Sequence, residues 1–191
     1  MAQGYTNIPH SSYDEWKQNT LGNEYDVDGY YGCQCWDYCA ELWYNLGFGT
    51  GYPRTGAGGY AYECWTNSRY INAGTEFELI ELLSLVKEGD VVVLDRGRYT
   101  GDVAGHIAFA DEDYTGGSTL RLMGQNQEHS SELYGYKVTI NDMNVTKFLG
   151  AFRYKEWQHP TPPPPPTNPP KRKGYPWAIY GQQLRNGYIL N

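Results

Sequence analysis

The sequence predicts an α+β fold: one or two N-terminal helices packed on an antiparallel sheet of five or six strands. Three observations predict it. One stripe of apolar residues at helical spacing lies near residue 40, short apolar runs begin only after residue 77, and those runs are punctuated by Gly, Asp and Asn. With 191 residues, 40% of them apolar and 19% charged, the chain has enough apolar surface to bury a core, which excludes wholesale disorder.

Taken in order, Ser11 or Ser12 can cap a short helix running through Lys17. Between Gln34 and Leu46 the residues Cys35, Tyr38, Cys39, Leu42, Trp43 and Leu46 fall on one helical face, and Gly47 closes the helix. Residues 47–59 hold six Gly and one Pro and read as loop. Ala61–Ser68 has room for one or two helical turns, and Phe77–Leu83 fits strand or helix equally. Val91–Leu94, entered through the Gly89-Asp90 turn, is expected to be a strand. So are His106–Ala110, Leu120–Met123, Tyr136–Ile140 and Phe148–Tyr154.

The run 158–170 reads QHPTPPPPPTNPP and holds eight of the eleven prolines. Proline fixes φ and donates no backbone hydrogen bond, so the run is expected to be an extended spacer; an SH3-ligand role is the lesser reading. It divides a body, residues 1–157, from a basic tail, residues 171–191. The tail is too short to fold alone; it is either the start of a truncated second domain or a segment that packs back.

All 22 acids lie in the body, which carries −11, whereas the remainder carries +4. Such a body repels phosphates, so nucleic acid is not an expected partner, while a small hard cation is. No run approaches the roughly 20 apolar residues of a membrane span, so no membrane insertion is expected, and Met1-Ala-Gln-Gly-Tyr lacks the look of a secretory signal. Nineteen Tyr and six Trp combine flat faces with polar tips and suit sugar or peptide surfaces, or simply a soluble hydroxyl-rich exterior. Four Cys are too few for a disulfide scaffold.

Residues 26–37, DVDGYYGCQCWD, place carboxylates at positions 1, 3 and 12 of a twelve-residue loop: Asp26, Asp28 and Asp37. The carbonyls of Tyr30 and Gly32 are free to point inward at positions 5 and 7. This is the ligand rhythm of an EF-hand type calcium loop, although the glycine sits at position 4 and position 12 is Asp. The plainer reading is an acidic turn with Asp37 in the first turn of the following helix.

Cys35 opens that helix, where unpaired N–H groups and the helix dipole are expected to lower its pKa and favour the thiolate. Cys39, one turn on, reads as core. His106, in a strand of small residues, is the best base; His10, His129 and His159 lie in weaker contexts. Asn126, at the end of the next strand, is placed to fix an imidazole tautomer. Gln34 can donate to an oxyanion together with the Cys35 N–H.

Taken together, Gln34-Cys35 opening a helix, Lys87-Glu88-Gly89-Asp90-Val91 before a strand, Gly105-His106-Ile107-Ala108 and Gln125-Asn126 resemble the CHAP family, the cysteine, histidine-dependent amidohydrolases/peptidases, over residues 20–155. The Asp26-Val27-Asp28-Gly29-Tyr30-Tyr31 run is similar to the calcium-binding subgroup of bacteriophage endolysins. The resemblance implies a papain-like α+β fold and cleavage of an amide bond in bacterial peptidoglycan. That bond is either N-acetylmuramoyl-L-alanine or one in the stem or cross-bridge. It further implies Cys35 as nucleophile, His106 as base and Asn126 as orienting residue, with Asp26, Asp28, Tyr30, Gly32 and Asp37 as calcium ligands. Related endolysins often carry an acid where this chain has Gly124; Glu128 is a weak substitute. A protein of this kind is expected to stay in the host cytoplasm until a holin opens the membrane. The rival expectations are a non-catalytic wall-binding module with a structural calcium, and zinc held by Cys33, Cys35, Cys39 and Cys64, whose spacing fits structural zinc sites poorly.

Overall fold

The structure, a computed structural model, describes residues 3–127 and 137–157. Four helices precede or flank the sheet: α1 (Tyr13–Thr20), α2 (Cys35–Asn45), α3 (Glu63–Thr66) and α4 (Arg69–Ala73). Six strands follow: β1 (Phe77–Ile80), β2 (Val91–Leu94), β3 (His106–Ala110), β4 (Thr119–Gly124), β5 (Thr139–Asn144) and β6 (Phe148–Tyr154). They form one antiparallel sheet in the order β1-β6-β2-β3-β4-β5, which is the α+β arrangement expected of the CHAP fold.

The core follows from the alternation of the strands. Val91, Val93, Ile107, Phe109 and Phe152 face the helices, where they pack with Trp16, Tyr38, Leu42 and Trp43, all fully buried. Each such aromatic or aliphatic side chain contributes about 1.5–3 kcal/mol by leaving water. Val92, Leu94, Ala108, Ala110, Leu120 and Leu122 face the other way into a second, smaller cluster. The central strands are thus buried on both faces, which is why Val91–Leu94 is continuously apolar rather than alternating.

Several boundaries differ from the sequence reading. Ser12 does cap α1, accepting the Glu15 N–H at 3.1 Å, but the helix runs past Lys17 to Thr20. The Thr20 hydroxyl back-bonds to Trp16 O and meets Tyr38 Oη, both at 2.8 Å, so tertiary contacts extend the helix. Helix α4 has no sequence signal: Tyr70 and Ile71 are exposed. It is held by buried Asn72, whose amide takes the Arg54 N–H and donates to the carbonyls of Arg54 and Cys64. Phe77–Leu83 resolves into strand β1 followed by a 3₁₀ turn at Leu83–Leu85.

Strand β5 runs over Thr139–Asn144, past the expected end at Ile140; Tyr136, the expected start, lies outside the described residues. It is an edge strand rich in Asn, Asp and Thr, and its extent is set by pairing with β4 from Thr119↔Asn144 to Gly124↔Thr139. The spacer 158–170, the tail 171–191, Glu128, His129 and His159 lie outside the described residues. No helix among the described residues is long and apolar enough to cross a membrane.

Candidate active site and acidic loop

The site assembles where the start of α2 meets the start of β3 and the end of β4. Gln34 is the extended N-cap residue (φ −90°, ψ 166°), so Cys35 is the first residue of α2. Asp37 reaches back and takes the Gln34 N–H at 2.8 Å on Oδ2; its other oxygen takes the Val27 N–H at 2.9 Å. One carboxylate thereby ties the acidic loop to the helix that carries the thiol.

Gln125, fully buried, makes the second tie. Its amide pairs with both backbone groups of Tyr25, at 2.7 and 2.9 Å, and donates to Gln34 O at 3.0 Å. Asn126 follows in the left-handed region (φ 52°), a conformation asparagine tolerates better than most residues. Its amide Nδ2 donates to Gln34 Oε1 at 2.7 Å, and Gln34 Nε2 donates to Tyr31 O at 2.7 Å. The structure therefore brings Gln34, Cys35 and Asn126 together.

Cys35 is buried, and burial pushes its thiol pKa up; Asp37 adds to this, while the N–H groups of Ile107 and Trp36 and the Arg98 cation pull it down. The expectation that the helix terminus lowers this pKa is thus corrected: the Trp36 N–H at the helix start acts in the expected direction, but desolvation wins. The effect of the Ile107 backbone on the thiol, together with the packing of α2 on β3, puts the sulfur near the opening of β3, next in sequence to His106.

His106 is almost wholly buried, and its pKa is driven down to about 3, first by burial and then by Arg98, against opposing pulls from Gln127 and Asp102. Burial thus favours the uncharged form of each group, the thiol and the neutral imidazole. The hydrogen bond that Asn126's amide donates goes to Gln34; the polar side chain against the imidazole is Gln127. Gln127 raises the ring's pKa, yet neither His106 Nε2 nor Gln127 Oε1 completes a hydrogen bond of good geometry. Two hollows flank this centre. One, of about 180 Å³, is lined by Arg98, Asn126 and Gln127 among others. The second, of about 520 Å³, is lined by Gln34, Trp36, Tyr30 and Tyr31. These two tyrosines are 70% and 81% exposed. The sequence reading missed Arg98, Asp102 and Gln127; the first two sit in a Gly-rich stretch that reads as plain turn.

Among the described residues the only converging group of three or more potential metal-binding side chains is Asp26, Asp28 and Asp37, which offer oxygens within 4.8 Å of one another. Asp26 Oδ1 is buried with no hydrogen-bond partner. Burial, with Asp28 and Asp26 adding to it, pushes the Asp37 carboxyl up to about 7, against the N–H groups of Gln34 and Val27. An all-oxygen donor set with an unpartnered buried oxygen fits a hard divalent cation. The four cysteines are free thiols and form no such group, so the zinc expectation fails.

An α+β sheet fold with a Cys at a helix start and a His at a strand start is the arrangement that the structure sets out. Residues 24–126 match the model of the CHAP domain, and the chain belongs to that family. It is 31% identical over 126 residues to the D-alanyl-L-alanine endopeptidase of Streptococcus phage B30, an alignment covering 65% of this chain and 26% of that protein. The chain thus spans about a quarter of the length of this curated relative. The crystal structure of a wild type endolysin, LysIME-EF1, superposes with a TM-score of 0.56 at 21% identity, covering 75% of this chain and 64% of that one, and supports the shared fold.

Proposed function

We propose that this chain is the cysteine-dependent catalytic part of a phage endolysin that hydrolyses an amide bond of bacterial peptidoglycan. The observation that carries the reading is the convergence of Cys35, the start of β3 at His106, and the hydrogen-bonded Gln34–Asn126 pair. The likeness to the D-alanyl-L-alanine endopeptidase of phage B30 favours a peptide bond of the wall over the muramoyl–alanine amide.

Because burial favours the uncharged thiol and imidazole, this reading has the proton move during attack rather than before it. His106 takes the proton from Cys35 Sγ as sulfur adds to the scissile carbonyl. The Cys35 N–H, free at the helix start, and the second N–H of Gln34 Nε2 receive the oxyanion. Asn126 orients Gln34 through its 2.7 Å hydrogen bond, and Gln127 faces the imidazole. His106 then protonates the leaving amine, and water, deprotonated by the same ring, releases the acyl-enzyme.

Calcium, the cation this reading assigns to the acidic loop, would be held by Asp26, Asp28 and Asp37 with the carbonyls of Tyr30 and Gly32. Its two positive charges would offset most of the negative charge of the three carboxylates, and it would stiffen the loop that leads into α2. Asp37 couples the two through its bond to the Gln34 N–H.

Mass spectrometry of purified walls digested by the protein tests the reading, because the new amino terminus names the bond. Fragments with a fresh peptide amine are expected; walls left chemically unchanged would remove the proposal.

A further inference from the structure

The turn between β2 and β3 is built around a buried ion pair. The side chains of Arg98 and Asp102 are only 7% and 2% exposed. Arg98 Nε donates to Asp102 Oδ2 at 2.8 Å, and the Arg98 backbone N–H donates to the same oxygen at 3.2 Å. The other carboxylate oxygen accepts the Gly105 N–H at 3.0 Å, while Arg98 Nη2 donates to Gly105 O at 3.1 Å. Both polar backbone groups of Gly105 are therefore held by the pair. That carbonyl belongs to the peptide bond joining Gly105 to His106, so Arg98 grips the peptide plane from which the imidazole-bearing residue departs.

Further backbone hydrogen bonds brace the turn. The Gly97 N–H bonds to Asp102 O, the Asp102 N–H to Tyr99 O, and the Tyr62 N–H to Ala104 O, at 2.9, 3.2 and 3.1 Å. Gly105 takes φ +68°, and a Cβ there would stand 2.4 Å from Leu94 O, so no other residue fits the bend.

A second observation connects the pair to chemistry. The guanidinium acts on both Cys35 and His106, lowering the proton affinity of each, and it lines the 180 Å³ hollow beside Asn126 and Gln127. Burying an ion pair is often no better for stability than burying two apolar side chains. What the charged pair adds is direction: a planar fork held at one angle, with its charge fixed beside the reacting groups.

We propose that Arg98, locked by Asp102, is a positioning residue of the catalytic centre, holding the His106 imidazole in register with Cys35 through the Gly105–His106 peptide. The inference rests on the Cys35–His106 reading above.

Wall-clearing kinetics of the full chain, with calcium supplied and each variant shown to be folded by circular dichroism at the assay temperature, test it. Arg98→Met and Asp102→Asn are expected to lose about 10- to 100-fold in kcat, the scale of a roughly 1 Å misplacement, with the half-saturating wall concentration within about twofold. Arg98→Lys, which keeps the charge but not the fork, recovers part of the loss. The double variant Arg98→Met/Asp102→Leu, which leaves no unpaired charge, regains thermal stability but not kcat. A purely structural pair would restore both together, and that result overturns the proposal, as does parental kcat in folded Arg98→Met. Cys35→Ser is the control. Clearing by Cys35→Ser would sink the underlying reading, whereas an inactive Cys35→Ser beside fully active Arg98 variants would sink only this inference.

Discussion

Asn126 Nδ2 and Gln34 Oε1 lie 2.7 Å apart, so the residue ending the β4 turn fixes the side chain that precedes the thiol. Ninety-two residues separate them in sequence, and no other side chain–side chain hydrogen bond joins these two walls of the site among the described residues.

Removing that bond should affect catalysis more than folding. Asn126→Gly keeps the left-handed backbone at little cost, whereas Asn126→Ala strains it. Both variants are expected to lose about 10- to 100-fold in wall clearing, with only the alanine variant lowering the melting temperature as well. Parental activity in Asn126→Gly would show that the Gln34 side chain needs no anchor.

His106 predicts an acid limb of stability. Its folded pKa, about 3, lies below the unfolded value near 6.5. The unfolded chain therefore binds a proton that the folded chain refuses, and stability is lost as pH falls from about 6.5 towards 3. The slope for one such site is about 1.4 kcal/mol per pH unit, and the whole window is worth at most about 5 kcal/mol. Asp102, whose carboxyl the Arg98 bonds hold low against the opposing effect of burial, adds a loss of the same sign at lower pH. Urea titrations at pH 7 and pH 5 should show a smaller stability difference in His106→Gln than in the parent. Equal differences would mean that the imidazole is not the group refusing the proton.

Cation removal should loosen the acidic loop. If the three carboxylates hold calcium, saturating metal at about 100 times its Kd adds about 2.7 kcal/mol, or roughly 5–10 °C in melting temperature. Asp28 is exposed and makes one local hydrogen bond, to the Tyr30 N–H. Asp28→Ala is therefore expected to leave the chelated protein's melting temperature unchanged and to abolish the calcium increment. Identical melting curves for the parent with calcium and with chelator would refute the site.

Gly150 sets a packing limit. A Cβ there would lie 2.2 Å from Trp65 Cζ2, inside the core between β6 and α3. Gly150→Ala must displace the indole, and a loss of at least about 1–3 kcal/mol is expected from chemical denaturation. A neutral substitution would show that Trp65 has room to move.

Much of this molecule was legible in its sequence, for reasons that differ by element. Helix α2 announces itself through one helical period, and strands β2, β3 and β6 through short apolar runs bounded by turn residues. The short helix α4 and edge strand β5 do not, because an Asn72 side chain and a neighbouring strand define them. At the site, Gln34, Cys35 and Asn126 stood out because each abuts a helix start or a strand end. Arg98, Asp102 and Gln127 did not, because their role comes from burial and from contacts across the turn. Burial also accounts for the inverted expectation about the proton affinity of Cys35: a helix terminus is visible in sequence, and the desolvation that outweighs it is not.

The central claim is that sulfur at position 35 forms the covalent bond to the wall. Wall-clearing rates of Cys35→Ala against the parent, at equal concentration and with calcium supplied, test it most directly. The account predicts that clearing by the variant falls to the rate of the protein-free control while its folded circular dichroism spectrum persists. Lysis by Cys35→Ala at a rate comparable to the parent would contradict it.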